Sequence, residues 1–304
     1  MRNIQTILLA VVLCVFCSCS DRGEDISGRR YPILFGSTDT RAVADINDLQ
    51  NNGFKVYAHF VGNRGSASFE KDVTYDKGQN VWGYEGIQYW IPSTKYWFTA
   101  FYPTKPTAGT VTVTAQEGNY QSYTITGFDI TKQEDIMVAQ AYREVEANKG
   151  APTEGGNVVD LNFQHLLACV TIAVKTKIDN VTVESITLEN IATTGTFSNA
   201  IWTSEETTYL NKEPKKVLSS GVDEYVDVAD GGFLLIPQVL NGEQKLIIET
   251  SNKDYETTIP VGTWESNKKY TYLLTIEQNN VNFDQPAIAE PWDETNATGS
   301  VIIK

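Results

Sequence analysis

Apolar and polar residues alternate along much of this chain with the two-residue period of β-strands. In Phe54–Val61, every second residue from Phe54 onwards is apolar, and Val111 and Val113 repeat this spacing. The same period predicts that Tyr270, Tyr272, Leu274 and Ile276 share one inward face. Further strand candidates are Tyr120–Phe128, Val158–Phe163, Ala168–Val174, Val181–Ile191, Gly232–Ile236, Lys245–Thr250, Thr257–Val261 and Lys269–Ile276.

Helical periodicity is weak throughout the sequence. The best short helix candidate is Asp135–Glu146, and no long amphipathic helix is indicated. The strand spacing is typical of β-sandwiches, so we expect an all-β fold. Gly150–Gly156 is the clearest break in the pattern and predicts a loop close to a domain boundary. We therefore expect an N-terminal β-sandwich at 42–156 and a C-terminal one at 157–304.

The segment Tyr31–Ala42 combines a short apolar strand with a polar tether. Ile33, Leu34 and Phe35 are strand-prone, and burying all three in a sandwich would contribute roughly 1.5–3 kcal/mol each. A trypsin-like protease that cuts after Arg41 would free this strand from the chain. The remaining body would then carry an open apolar groove and an unpaired sheet edge, which another strand could fill.

The first residues resemble a bacterial lipoprotein signal peptide. Arg2 is basic, Ile7–Phe16 is an apolar run too short to span a bilayer, and Cys17-Ser18-Cys19 follows. Since small Ser18 precedes Cys19, Cys19 is the expected lipidation site after removal of 1–18, and Cys17, which follows bulky Phe16, is the weaker alternative. Residues 19–41 then form a tether and the removable first strand.

Composition argues for a soluble globular body. Of 304 residues, 41% are hydrophobic and 20% charged, which is normal for a folded chain and sufficient for two domains. The net charge of −14 would repel nucleic acid phosphates, so no nucleic acid partner is expected. No segment after the signal peptide is apolar enough to cross a membrane, so the lipid is the expected membrane anchor.

Candidates for catalysis or metal binding are few. The chain has two histidines, His59 and His165, and neither stands in a nucleophile, phosphate-loop or zinc motif. Both are interpreted as structural. Cys169 remains as the single cysteine outside the leader and its lipidation site, and we expect it to be a small buried hydrophobe. Neither enzymatic activity nor a cofactor is expected.

Aromatic residues are dense in Val81–Pro103, which holds nine of them. Flat rings stack on sugars, so one interpretation is a glycan-binding platform. The other is a core hairpin in which the rings supply buried area, because both faces of Trp97–Phe101 carry large or apolar side chains.

Several segments together resemble the fimbrillin-like (Mfa-like) family of Bacteroidales. In chain order they are Ile87-Gln-Tyr-Trp-Ile-Pro92, Tyr96-Trp-Phe-Thr-Ala-Phe-Tyr-Pro103, Asp135-Ile-Met-Val-Ala139, Val159-Asp-Leu-Asn-Phe-Gln-His-Leu-Leu167, Leu235-Ile-Pro-Gln238, and Trp264 before Tyr270-Thr-Tyr272. Each motif is weak alone, but the ordered set covers most of residues 31–276.

The resemblance implies two tandem transthyretin-like Greek-key β-sandwiches and a subunit of type V pili at the cell surface. It further implies a precursor exported as a lipoprotein and an arginine-specific protease that cuts between Arg41 and Ala42. A strand from a neighbouring fimbrial subunit then fills the groove. The tail 281–304 is the candidate donor, with Val301, Ile302 and Ile303 as groove-filling side chains.

Three alternatives remain open at this stage. The tail strand can pair within its own chain or with a neighbour. Stalk, tip and anchor subunits share the fold, and the apolar tail with a cleavage site favours a stalk. An unprocessed outer-membrane lipoprotein, serving as a pilus anchor or binding glycans, is the other functional class.

Overall fold

The computed structural model describes residues 30–36, 46–221 and 223–292, and they form an almost entirely β-sheet fold. The elements of the first half are β1 (Leu34–Gly36), α1 (Ile46–Asn52), β2 (Phe54–Gly62), β3 (Gly65–Asp76), β4 (Val81–Gly83), β5 (Thr94–Tyr102), β6 (Thr110–Thr114), β7 (Ser122–Asp129), a 3₁₀ turn (Ile130–Lys132) and β8 (Met137–Val145). Those of the second half are β9 (Val158–Asp160), β10 (Gln164–His165), β11 (Ala168–Thr176), β12 (Val181–Ser198), β13 (Ile201–Lys212), β14 (Lys216–Leu218), β15 (Val226–Asp227), β16 (Phe233–Leu235), β17 (Gln238–Leu240), β18 (Lys245–Thr250), β19 (Asp254–Thr258), β20 (Gly262–Trp264), β21 (Lys268–Ile276), β22 (Val281–Phe283) and β23 (Ile288–Pro291).

Most of these strands belong to three large sheets. The first has the order β10-β8-β5-β2-β3-β4. The second runs β15-β11-β21-β22, with β16 paired to β11 and β23 to β21. The third runs β19-β18-β12-β7-β6, and β12 also pairs with β13 and β14. Two small ladders, β1-β9 and β17-β20, complete the pairing of the described strands.

The first apolar cluster lies on one face of the β10-β8-β5-β2-β3-β4 sheet. Phe54, Tyr96 and Phe98 from the sheet pack with Ile33 and Phe35 of the first-strand segment. The central strand β5 pairs with β2 and β8 at its edges and is buried on both faces, because Phe98 packs against Phe35 on one face and Thr99 bonds to Gln121 on the other.

The second apolar cluster lies between the other two large sheets, and it includes a segment from the first half of the chain. Ile125 and Phe128 belong to this cluster because β7 pairs with β12. Conversely, Val159 and Phe163 pack in the first cluster. The predicted domain ranges 42–156 and 157–304 stay a prediction, and chain segments cross between the clusters on both sides of the Gly150–Gly156 loop.

Several strands match the sequence analysis closely. Strand β18 has the predicted bounds, and all four residues expected on the inward face of Tyr270–Ile276 are buried. Strand β12 extends seven residues beyond the predicted Ile191, to Ser198.

The helix predicted at Asp135–Glu146 is wrong. This stretch contains β8, which pairs with β5 from Thr94 to Tyr102. Met137, Ala139 and Ala141 are buried with a two-residue period, so strand burial overrides the weak local helical preference.

Candidate functional site

The first-strand segment Tyr31–Gly36 lies between two other stretches of chain and is bonded to both. On one side, β1 runs parallel to β9, with Phe35 opposite Val159. On the other side, Pro32 forms an antiparallel bridge with Tyr89. The segment therefore lies between β9 and the stretch around Tyr89 and is paired with both.

Main-chain hydrogen bonds hold the segment on each side. The Ile33 amide donates to the Gln88 carbonyl at 2.8 Å, and the Trp90 amide donates to the Tyr31 carbonyl at 3.0 Å. Towards β9, the Leu34 amide donates to Asn157 O at 2.9 Å, and the Leu161 amide donates to Gly36 O at 2.8 Å. Removal of the segment would leave two main-chain edges unpaired, that of β9 and that of the stretch around Tyr89, whereas the sequence analysis predicted one.

Side chains of the segment alternate between the core and the surface. Ile33 is 0% exposed and Phe35 4%, whereas Leu34 is 39% exposed. The expectation that all three would be buried is wrong for Leu34, because neighbouring residues of a strand point to opposite faces. Burial of Ile33 and Phe35 contributes roughly 1.5–3 kcal/mol each.

The phenol of Tyr84 connects the groove wall to the strand that fills it. Its hydroxyl donates to the Ile33 carbonyl at 2.7 Å and accepts from the Gln88 amide at 3.1 Å. Burial raises the pKa of Tyr84, with the Gln88 amide acting in the opposite direction. Sequence analysis missed this role, since Tyr84 and Ile33 are 51 positions apart.

The pocket around Phe35 is aromatic. Its ring centroid lies 5.4 Å from that of Tyr84 and 5.8 Å from that of Phe98, in a tilted and an edge-on arrangement. Such pairs contribute about 0.5–1.5 kcal/mol each beyond the buried area. Trp90 covers the neighbouring part of the cluster and meets Phe98 edge-on at 6.0 Å.

Tyr31 closes one end of the groove by packing on a glycine. A Cβ atom at Gly150 would lie 2.2 Å from Cε2 of the Tyr31 ring, so only glycine fits there without a shift. The Gly150–Gly156 loop therefore also supports the first strand.

The dense aromatic stretch Val81–Pro103 is mainly core. Six of its rings are buried: Trp90, Tyr96, Trp97, Phe98, Phe101 and Tyr102. Trp82 and Tyr84 are half-buried, and Tyr89 is 40% exposed. The core interpretation is therefore confirmed for most of these rings, which leaves little exposed ring face for stacking on a sugar.

Both histidines make structural contacts. His59 is buried, and its Nδ1 lies 3.0 Å from Oγ of Ser68. His165 Nδ1 lies 2.6 Å from Asp135 Oδ2, and the ring stacks on Trp292 at 3.8 Å. Cys169 is a free buried thiol whose pKa is raised by burial, as expected for a core residue.

The remaining predicted site residues lie outside the described part of the chain. They are Cys19, Arg41, Ala42, Val301, Ile302 and Ile303. Their predicted roles in lipidation, processing and strand donation stay predictions. The described segments on either side of Arg41 are the first strand, which ends at Gly36, and α1, which begins at Ile46.

Metal-ligating side chains are scattered among the described residues. Within them, no group of three or more His, Cys, Asp and Glu side chains could hold a metal ion. A surface depression of about 920 Å³ lies beside β12 and β17, but side-chain amides that line it are hydrogen-bonded to other parts of the fold. For example, Gln238 Oε1 accepts from the Ala192 amide at 3.0 Å.

No helix in residues 30–36, 46–221 and 223–292 is both long enough and apolar enough to cross a membrane.

Comparison with protein families identifies the chain. A family model described as fimbrillin-like matches residues 40–292, which is most of the sequence. The chain belongs to the fimbrillin-like family. The resemblance drawn from the sequence motifs is thereby confirmed. A comparison with curated proteins finds no match.

Solved structures from Bacteroides share the fold of this fimbrillin-like chain. A fimbrial protein from Bacteroides vulgatus is 17% identical with a TM-score of 0.59, covering 87% of this chain and 100% of that one. A candidate cell adhesion protein from Bacteroides ovatus is 15% identical with a TM-score of 0.54, covering 87% and 98%. A candidate cell adhesion protein from Bacteroides uniformis is 16% identical with a TM-score of 0.51, covering 86% and 98%.

Family membership sets the broad function. Fimbrillin-like proteins are structural and adhesion proteins of fimbriae rather than enzymes, so the chain is a fimbrial protein of the cell surface. Two of the segments that carry the resemblance line the groove of the first strand: Ile87–Pro92 forms one wall, and Val159–Leu167 begins in the opposite wall.

Proposed function

We propose that this chain is a structural subunit of a surface fimbria of the type V pilus class, assembled by β-strand complementation. It is exported as a lipoprotein acylated at Cys19 and held at the outer membrane. An arginine-specific protease cuts between Arg41 and Ala42, the segment that contains β1 leaves, and a strand from a neighbouring fimbrial subunit takes its place. The assembled fibre supports adhesion and biofilm formation.

One observation carries this proposal: the first strand is fully integrated in the fold, and it ends at Gly36, shortly before Arg41 in the sequence. Ile33 and Phe35 are core residues, and the segment is hydrogen-bonded on both sides. Loss of the segment leaves an apolar groove with two unpaired edges, which is an unstable surface in water. A body in this state has a strong drive to bind another strand.

The donor strand that we propose is the tail of a second copy, with Val301, Ile302 and Ile303. Its apolar run has the length of the Ile33–Phe35 run that it replaces. The two candidate domains, 42–156 and 157–304, are proposed to be the transthyretin-like units that the fibre strings together.

N-terminal sequencing of the mature protein from cells tests the processing step. We expect the fibre-associated chain to begin at Ala42. Arg41→Ala should abolish fibres and leave a folded, lipidated precursor.

Arg30→Ala is the matched control for this experiment. Arg30 precedes the first strand, so cleavage there would leave the strand attached to the body. We expect normal fibres from Arg30→Ala. Normal fibres from Arg41→Ala, or fibre material that always begins at acylated Cys19, would contradict the proposal and favour an unprocessed anchor.

A further inference from the structure

The groove contacts its strand in two chemically different ways. The Tyr84 hydroxyl bonds to the main-chain carbonyl of Ile33, so this contact does not depend on the strand's side chains. The contacts of the Phe35 ring with Tyr84 and Phe98 depend on the side chain alone. The first kind of contact holds a strand in position, and the second selects among strands.

Tyr84 and Gln88 together enclose the main chain of Ile33. The Ile33 amide donates to Gln88 O at 2.8 Å, and the Ile33 carbonyl accepts from the Tyr84 hydroxyl at 2.7 Å. The Gln88 amide in turn donates to the Tyr84 oxygen at 3.1 Å. A hydroxyl has one proton, so this arrangement offers the Tyr84 donor to one carbonyl of the strand.

We propose that Tyr84 and Gln88 set the register of whichever strand fills the groove, and that the rings of Tyr84 and Phe98 select an aromatic residue two positions later. The inference rests on the proposed function in one respect, because the groove must be able to exchange its strand. Tyr84 is thus a positioning residue for strand binding, and the Phe35 pocket determines specificity.

This selection makes the chain's own first strand a better ligand than its tail. If the tail of a second copy entered in the matching register, Val301 would stand at the Ile33 position, Ile302 at the Leu34 position and Ile303 at the Phe35 position. Ile303 lacks a ring, so the contacts with Tyr84 and Phe98 are lost. An attached first strand also has a high effective concentration at the groove. The tail of a second copy therefore enters only after the first strand has been cut away.

Peptide binding to the cleaved protein tests the selectivity. The full chain, carrying a site-specific protease sequence in place of residues 37–41, is cut and incubated with a fluorescent peptide of residues 30–36. We expect the Phe35→Ile peptide to bind about tenfold more weakly than the native peptide, because two aromatic contacts are lost. The Leu34→Thr peptide is the matched control and should bind within about twofold, since Leu34 is partly exposed.

A protein variant tests the main-chain contact. Tyr84→Phe should weaken the native and Phe35→Ile peptides by the same factor, about three- to tenfold, because both offer the same carbonyl. Tyr75→Phe is the control, since the Tyr75 hydroxyl bonds to Asn80 instead. Circular dichroism and thermal unfolding check that both variants fold. If Tyr84→Phe does not fold, a peptide with a thioamide at the Ile33 carbonyl gives the same test on the unchanged protein.

Each outcome has one meaning. Equal binding of the native and Phe35→Ile peptides overturns the selectivity, and an unchanged affinity for Tyr84→Phe overturns the register contact, while the proposed function survives both. Failure of every peptide to bind contradicts the proposed function together with this inference.

Discussion

At the scale of single residues, the groove wall is built from large aromatic side chains that also carry polar atoms. Tyr96 is 1% exposed, and its hydroxyl accepts from the Ile91 amide at 3.0 Å. Trp90 is 4% exposed, and its Nε1 has no hydrogen-bond partner within the described part of the chain. A buried unsatisfied donor costs about 1–3 kcal/mol. The free energy gained by burying the apolar surface of the Trp90 ring is therefore partly offset by its unpaired Nε1.

Tyr96 provides a prediction about pH. Burial raises the pKa of Tyr96 from 10.0 to about 12, and the hydrogen bond from the Ile91 amide acts in the opposite direction. In the unfolded chain this phenol ionises near its ordinary pKa, whereas in the folded chain it keeps its proton until about pH 12. The free energy of unfolding is therefore unaffected by this phenol below about pH 10, and it falls as the pH rises from about 10 towards 12, because only the unfolded chain releases the proton in that range.

Urea unfolding at several pH values above about 9 measures this effect. We expect the free energy of unfolding to fall with pH in the wild type and to fall less steeply in Tyr96→Phe. Tyr209→Phe, which changes an exposed ring, should keep the wild-type slope. The same slope for Tyr96→Phe and wild type would contradict the explanation.

At the scale of elements, strand pairing in the β12–β13 hairpin imposes a turn conformation that one of the two turn residues disfavours. Asn199 and Ala200 form its two-residue turn, since Ser198 pairs with Ile201. Both turn residues have positive φ, 51° and 63°. This geometry suits a type I′ turn, in which Asn-Gly is favoured and a second residue with a Cβ atom is strained.

Ala200→Gly should therefore stabilise the protein by about 0.5–1 kcal/mol, because glycine adopts positive φ without the Cβ clash. Chemical denaturation provides the measurement. Ala67→Gly is the matched control in the exposed part of β3, and it should destabilise by about 0.5–1 kcal/mol. A destabilising Ala200→Gly would show that the turn is not strained at this position.

At the scale of the whole molecule, a buried glutamine joins the two apolar clusters. Gln121 precedes β7, which pairs with β12 in the second half, and its side chain reaches the first sheet. Nε2 donates to Tyr57 O at 3.2 Å and to Trp97 O at 3.0 Å, and Oε1 accepts from the Thr99 hydroxyl at 2.7 Å. Its amide is thus bonded to two neighbouring strands, β2 and β5.

Gln121→Met keeps a similar volume but removes all three hydrogen bonds. We expect the free energy of unfolding to fall by about 2–4 kcal/mol, because the Thr99 hydroxyl is left buried without this partner. Tryptophan fluorescence and far-UV circular dichroism during urea unfolding report the loss. Gln116→Met, an exposed change in the same connection, should alter stability by less than about 0.5 kcal/mol. Equal effects of the two substitutions on the free energy of unfolding would contradict the proposed stabilising role of the Gln121 hydrogen bonds.

Local pattern alone predicted the class of fold and many of its strands. The inward face of Tyr270–Ile276 and the bounds of Lys245–Thr250 follow from two-residue alternation, since burial on one face imposes that period. The pattern failed at Asp135–Glu146, where pairing with β5 decides the conformation. It also missed β13, because a mostly exposed strand of threonine and glutamate carries no apolar alternation.

The sequence by itself determined that the chain is all-β, that it belongs with fimbrial proteins, and that Ile33–Phe35 forms a strand ahead of a basic residue. Those conclusions depend on composition, short-range periodicity and ordered motifs, which are properties of neighbouring residues. Only the tertiary structure decided that the strand is enclosed on both sides, that Leu34 points outward, and that Tyr84 bonds to Ile33. These contacts join residues that are tens of positions apart, so they exist only once the chain has folded and the register of each pair of strands is set.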